Sequence, residues 1–373
     1  MFTRNIKVTQ FQHHASQSPR FNSQAESVGG KVFDFSFDTT SKTSVVLLLM
    51  ALLVLTFQSG CRPDDKSGSG FSRPKPPASA VNRVIAVSYP LHFLTEKIAP
   101  KKVKVEFPIA QDAEPRNWKP DRKAIGQMQS ADLIVVNGIA APYAKWIDRV
   151  ALPESKVCST ATKGLLSRDY IGIEDVTITH SHGPEGEHSH QMMVSRTWLD
   201  PTLAKKQVKH IAERLMATYP KSADAIEANL ASLNDELDAL IGLVDGIKAS
   251  EPGGILTATP ELKFLTRAVG LTDLHMVWGD DVTAEQAAKD LDKALATLKK
   301  NNAKKAADQK EIAPPKAILF GGKGPSPEIQ KLLDERGLEI INISLIDKRP
   351  EYGSYLTELR DSLGKLQNAL KAE

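Results

Sequence analysis

Two runs of alternating strand and helix signals, separated by a strandless segment over 202–250, constrain this 373-residue chain more than any other feature. The first run opens with Arg83-Val84-Ile85-Ala86-Val87-Ser88, short and apolar enough for a buried strand. It continues with a helix over 91–98, alternation over 103–107, a helix over 121–128, a strand over 131–138, a helix near 143–150 and a strand over 156–160. The second run begins with a strand over 254–257, then a helix over 260–269 stopped by Gly270 and a strand over 274–278. A helix over 283–301, a strand over 317–320, a helix over 328–336 ended by Gly337, a strand over 339–344 and a helix over 354–371 complete it. Strands joined by helices pair in parallel and need helices on both faces, so the expected fold is α/β, with two doubly wound parallel-sheet lobes. Ligands of open α/β sheets bind beyond the carboxyl ends of the strands, which places the ligand cleft between the lobes.

Between the lobes, Ile226, Leu230, Leu233, Leu237, Leu240, Ile241, Val244 and Ile247 recur at three- and four-residue spacing. This marks a long amphipathic helix ending at Pro252-Gly253-Gly254, read as a rigid backbone joining the lobes. A coiled coil or partner-binding helix is the competing reading, but the stripe lasts only about three heptads. The expected organisation is an N-terminal lobe over 83–201, a helical linker over 202–250 and a C-terminal lobe over 251–373.

Residues 1–60 carry the marks of an export signal. The apolar run from Val45 to Leu55 follows Lys42, is too short to span a bilayer and leads to Phe57-Gln58-Ser59-Gly60-Cys61. The ending resembles a bacterial lipoprotein cleavage box, with Gln58 where Leu is usual, so lipidation is expected at Cys61. An uncleaved signal anchor is the alternative, and a start codon assigned too far upstream would account for the long stretch before Lys42. Residues 61–82, rich in Pro, Ser and Gly, have tether composition. The product is then exported and lipid-anchored, facing the periplasm or the cell exterior. With Cys61 acylated, Cys158 is the sole remaining cysteine of two, so no intrachain disulfide supports the fold. Lys plus Arg (48) nearly balances Asp plus Glu (45) and no basic stripe occurs, which argues against nucleic acid.

Four of the nine histidines, His180, His182, His188 and His190, fall within eleven residues. Neutral imidazole is a common zinc ligand, and Gly183, Pro184 and Gly186 are expected to keep the segment an irregular mobile loop that binds zinc weakly. The competing reading is a solvated insertion that binds nothing. No Gly-x-Ser-x-Gly, phosphate-cradling glycine loop or His-Glu-x-x-His occurs, so an enzyme is not expected.

Further motifs occur in order along the chain: Tyr89-Pro90-Leu91 with Glu96-Lys97-Ile98, then Glu114-Pro115-Arg116-Asn117-Trp118-Lys119-Pro120, then the segment Ala131 to Gly138. After the histidines come Trp198-Leu199-Asp200-Pro201, the long helix, Thr259-Pro260, Phe264-Leu265, Gly270-Leu271 and Trp278. In this order the chain resembles the solute-binding lipoproteins of bacterial zinc and manganese ABC importers. The resemblance implies two α/β lobes bridged by a backbone helix, a metal buried in the cleft, and delivery to an ABC permease by a monomeric carrier.

The family's usual ligands are three histidines and an acidic residue. In their frames this chain has Arg116, Arg196, Thr259 and, after the strand ending in Phe320, Gly321. A guanidinium stays protonated and offers donors but no lone pair, so arginine repels a dication that imidazole would bind. The expectation is a zinc-type solute-binding protein whose usual cleft ligands are lost; the alternative is a diverged surface lipoprotein with no transport role. The arginines could pair with Glu114, Glu261, Asp280 or Asp281, capture a small anion, or stand beside a relocated metal site using His92, His275 or Asp280. His92 and His275 read more simply as core or edge histidines, and Trp118 and Trp198 as packing residues.

Overall fold

The computed structural model describes residues 82–371 apart from 112, 114, 116–117, 140–146, 148–149, 182–186 and 305–310, with the backbone alone described from 173 to 192. The expected export signal, Cys61 and almost all of the tether lie outside the described residues, as do Glu114, Arg116, His182, Gly183, Pro184, Gly186 and most of the helix expected near 143–150.

The N-terminal sheet is built from β1 (Arg83–Ala86), β2 (Lys104–Glu106), β3 (Leu133–Val136) and β4 (Val157–Ser159). Its order is β2-β1-β3-β4 and every pairing is parallel. Both faces are covered, so β3 reads Leu-Ile-Val-Val with all its residues buried. Helix α1 (Tyr89–Ile98) follows β1 with Pro90 in its first turn, where a missing N–H costs nothing. Helix α2 (Arg122–Ser130) is capped by Asp121, whose carboxylate accepts from the Ala124 N–H.

After β4 the chain forms an antiparallel pair, β5 (Gly172–Ser181) and β6 (Glu187–Met193). This corrects the expectation of an irregular loop across 180–190. His180 pairs with His188 and Ile178 with His190, so these histidines lie on strands. The ladder is a backbone interaction, and Val176-Thr177-Ile178-Thr179 supplies the β-branched residues that favour it.

Two helices then carry the chain across: α3 (Pro201–Thr218) and the 27-residue α4 (Ala223–Ala249). Pro220 opens a separate short turn between them, and the stripe from Ile226 to Ile247 lies wholly on α4. Ile226, Leu233, Leu237, Leu240, Val244 and Ile247 are its buried residues.

The C-terminal sheet comprises β7 (Gly254–Thr257), β8 (Thr272–His275), β9 (Ala317–Gly321) and β10 (Glu339–Ile343) in the parallel order β10-β9-β7-β8. Helices α5 (Lys263–Ala268), α6 (Ala284–Ala303), α7 (Pro327–Glu335) and α8 (Tyr355–Lys371) accompany it. Strand β8 begins two residues before the expected 274, and beyond its end the Met276 and Trp278 N–H groups still bond to Thr257 and Ala258 carbonyls. Helix α4 packs against α1, α3 and α8, so one continuous core runs from Val84 and Leu133 through Leu237 to Leu319, Ile343 and Leu359. The backbone helix thus joins the two sheets through apolar packing. Among the described residues, no helix is long and apolar enough to cross a membrane.

Candidate functional site

The corner from Ser195 to Pro201 is fixed from three sides before it presents any chemistry. At the end of β3, Asn137 donates through Nδ2 to the Ser195 carbonyl. The Thr197 hydroxyl lies 3.1 Å from Asn137 Oδ1 and 2.9 Å from Gln207 Oε1. Gln207, on α3, donates to Asn137 Oδ1 at 2.9 Å and to the Thr160 hydroxyl at 2.7 Å. All of these side chains are buried, where an unsatisfied polar group would cost about 1–3 kcal/mol, so the network holds one conformation. Asp200 accepts from the Thr202 and Leu203 N–H groups and caps α3, and Pro201 sits in the first turn. Burial raises the Asp200 carboxyl above its ordinary range, while those N–H bonds oppose the shift.

This scaffold aims Arg196 at the C-terminal lobe. The side chain is 2% exposed, and its Nε and Nη2 donate to Asp347 Oδ1 at 3.0 Å and Oδ2 at 2.6 Å, a bidentate grip. Its Nη1 forms a short ion pair with Glu261 Oε2. Glu261 was among the expected partners; Asp347 was not, and Asp280 and Asp281 are exposed. Of the roles expected for Arg196, pairing with carboxylates of its own chain is the one these contacts match.

The neighbouring contacts also cross between the lobes. Trp198 is fully buried and donates Nε1–H to the Leu345 carbonyl at 3.1 Å, while Tyr355 on α8 donates its hydroxyl to the Trp198 carbonyl at 2.7 Å. Burial raises the Tyr355 phenol far above its usual value, so it stays a neutral donor. Between Leu345 and Asp347 lies Ile346, buried and held at φ +58°. A β-branched residue in the left-handed region costs on the order of 1–3 kcal/mol, and the contacts on either side hold it there.

Thr259 and Gly321 adjoin this cluster. The Thr259 side chain caps the turn Pro260–Leu262 by accepting from the Glu261 N–H at 3.3 Å. A Cβ placed on Gly321 would meet Leu345 Cδ2 at 2.9 Å and Thr259 Cγ2 at 3.0 Å. Three of the four positions expected to face the cleft are therefore brought into one neighbourhood, and the fourth, Arg116, lies outside the described residues. Nearby, Phe107, Ile109, Gln111 and Pro115 from the first lobe and Lys348 and Arg349 from the second line a cavity of about 190 Å³.

The remaining candidates stand apart. His92 is buried beside Tyr89 and Phe107, and burial lowers its pKa against the opposing pull of Glu96. His275 ends β8. Trp118 packs with the buried cluster of Ile85, Met128 and Ile134. Among the described side chains, no group of three or more His, Cys, Asp or Glu is placed to hold a metal ion.

Residues 84–369 match the model of the zinc-uptake complex component A periplasmic family, ZnuA. The chain belongs to the ZnuA family. It is 30% identical over 229 residues to the high-affinity zinc uptake system protein ZnuA of Bacillus subtilis, spanning 59% of this chain and 68% of that one. It is 28% identical over 224 residues to the zinc-binding lipoprotein AdcA of Streptococcus pneumoniae, a match covering 58% of this chain but only 43% of that protein. Among solved structures, the metal-dependent lipoprotein YcdH of Bacillus subtilis superposes with TM-score 0.58 at 20% identity, covering 77% of this chain and 99% of YcdH. The zinc-bound ZnuA-like domain of pneumococcal AdcA gives TM-score 0.57 at 21% identity, over 77% of this chain and 98% of the domain. These superpositions agree with the two-lobed ZnuA-type fold.

Proposed function

We propose that this ZnuA-family chain is the extracytoplasmic solute-binding component of a zinc-type ABC import system. It works as a monomer with a membrane permease and is held at the membrane by lipid on Cys61. Its action is binding, not catalysis. We further propose that the cargo ion does not use Arg116, Arg196, Thr259 and Gly321. The observation that carries this is the buried Arg196 guanidinium, engaged by Asp347 and Glu261. A guanidinium has no lone pair to give, glycine has no side chain, and the Thr259 hydroxyl, which accepts from the Glu261 N–H, is a neutral oxygen outside the usual zinc ligand set of Cys, His, Asp and Glu. The residues at these positions do not fit a zinc or manganese ion.

Metal contact is assigned instead to the β5–β6 hairpin. His180 stands opposite His188 in the backbone ladder, and His190 follows two residues along the same strand. Zinc binding there is weak and reversible in this reading, and it requires neutral imidazoles, so it weakens as pH falls through the histidine range. Zinc titration calorimetry on the full chain, and on the chain with His180, His182, His188 and His190 all replaced by Ala, tests the assignment. Loss of most of the binding is expected. Unchanged stoichiometry and affinity would return the ion to the cleft.

A further inference from the structure

The charges of the Arg196 cluster are divided between the two lobes. One guanidinium enters from the N-terminal lobe, carried by the corner that Asn137, Thr197 and Gln207 fix. Two carboxylates meet it from the C-terminal lobe, Glu261 from the turn after β7 and Asp347 from the segment after β10. The three groups sum to one negative charge, and the carboxylates keep 16% and 19% side-chain exposure while the arginine keeps 2%. Such a pair, converging from one wall on a positive group supplied by the other, is the electrostatic pattern of a cation site.

Resting on the reading that this cleft is the family's ligand site, we propose that Glu261 and Asp347 are the cation-binding pair of the cleft and that Arg196 is their resident cation. Arg196 is covalently part of one lobe, so it joins the lobes as a bound ion would, and no cargo is needed to hold them together. The strained Ile346 backbone fits this role. The chain keeps a β-branched residue at φ +58° directly between the Leu345 carbonyl that receives Trp198 and the Asp347 carboxylate that receives Arg196. Strain of that kind persists only where its surroundings fix it. An inner cation also explains how a ligand cleft can close over a buried arginine without an external anion. Its removal would leave two carboxylates facing a void, and a divalent ion with its remaining waters is the natural occupant.

The test uses the full chain with the four hairpin histidines replaced by Ala, so that hairpin binding does not mask the cleft. Manganese and zinc are titrated separately into this chain and into the same chain carrying Arg196→Ala. The parent is expected to show no cleft binding, and Arg196→Ala to gain one equivalent, weakened at least tenfold by adding Asp347→Asn. One equivalent bound by the parent and lost on adding Asp347→Asn, or none gained by a folded Arg196→Ala, overturns the proposal.

Should Arg196→Ala fail to fold, Glu261→Gln with Asp347→Asn is examined by hydrogen exchange in the otherwise unaltered chain. The clamp predicts at least tenfold faster exchange of the Trp198 indole proton and of the 344–347 amides, with β3 unchanged. Unaltered exchange there overturns it. Failure of the hairpin assignment has a separate signature, since it appears as zinc binding that survives the four His→Ala changes and is unaffected by adding Asp347→Asn.

Discussion

Replacing Asp347 by Ala tests whether the Arg196 cluster supports the fold as well as the cleft. The substitution removes both bonds of the bidentate grip and leaves a guanidinium that is 2% exposed with Glu261 as its carboxylate partner. Removing one member of a buried ion pair costs about 3–5 kcal/mol. Glu261 remains and Asp347 is 19% exposed, so the expected loss is smaller, about 2–3 kcal/mol. The unfolding entropy of a fold of this size is about 0.6 kcal/mol per kelvin, from about 2.1 cal/mol/K per residue. The melting temperature should therefore drop by about 3–5 °C. Thermal unfolding followed by far-ultraviolet circular dichroism measures it. Repeating the scan at about 0.05 M and about 0.5 M salt separates a buried pair, whose loss is nearly salt-independent, from a screened surface pair. The triple change Arg196→Met, Glu261→Gln and Asp347→Leu removes the charges together and should recover most of the loss, because apolar replacement of a whole buried cluster is near neutral. A drop of less than about 1 °C for Asp347→Ala, or one that disappears in high salt, would refute the reasoning.

Asp273 on β8 gives a prediction of opposite sign. Burial pushes its carboxyl from 3.8 to about 6, against the hydrogen bond from Thr257. The folded chain thus binds this proton more tightly than the unfolded chain, and stability falls as pH rises from about 4 to about 6. The shift converts to at most about 3 kcal/mol, and partial exposure brings the cost at neutral pH to the order of 1–2 kcal/mol. Asp273→Asn should raise the melting temperature at pH 7 and flatten the decline between those values; a variant as pH-sensitive as the parent would contradict this. Lipid anchoring at Cys61 is checked by mass spectrometry of the mature N-terminus, where an unmodified Cys61 in a freely soluble product would sink the claim. Gly321→Glu, which places an acid where the resemblance implies one, should not create a metal site, because its Cβ meets Leu345 and Thr259 within about 3 Å and Arg196 still holds the neighbouring charge. One equivalent of tightly bound zinc in that variant, by calorimetry, would overturn the account of the cleft.

Most of the architecture was legible because the relevant forces are local in sequence. A parallel strand buried on both faces must be a short continuous apolar run, which made β1, β3, β7 and β9 visible. The α4 stripe follows from one face meeting a continuous core. Gly270 and Gly337 end their helices at positive φ, 78° and 67°, the conformation that only glycine adopts freely. The hairpin was missed because Gly, Pro and His drew the reading toward a loop, while the β-branched run before His180 carried the strand signal.

The site was legible only in half. Arg196 stood out because a short motif frames it, and Glu261 was within reach as the second residue after Thr259. Asp347 lies 151 residues from Arg196 in a segment with no motif, brought there by β10 and by the left-handed turn at Ile346. That position depends on tertiary structure, and Ile is among the residues least expected to take it. The difference has a physical basis. A frame such as Trp-Leu-Asp-Pro fixes where a side chain points, since it sets a cap, a helix start and a buried indole. It does not fix the charge delivered there. With arginine at position 196, the site can fold only if the opposite wall offers carboxylates to a buried guanidinium, so a search for the missing partner has to run over every segment that the fold brings to the strand ends.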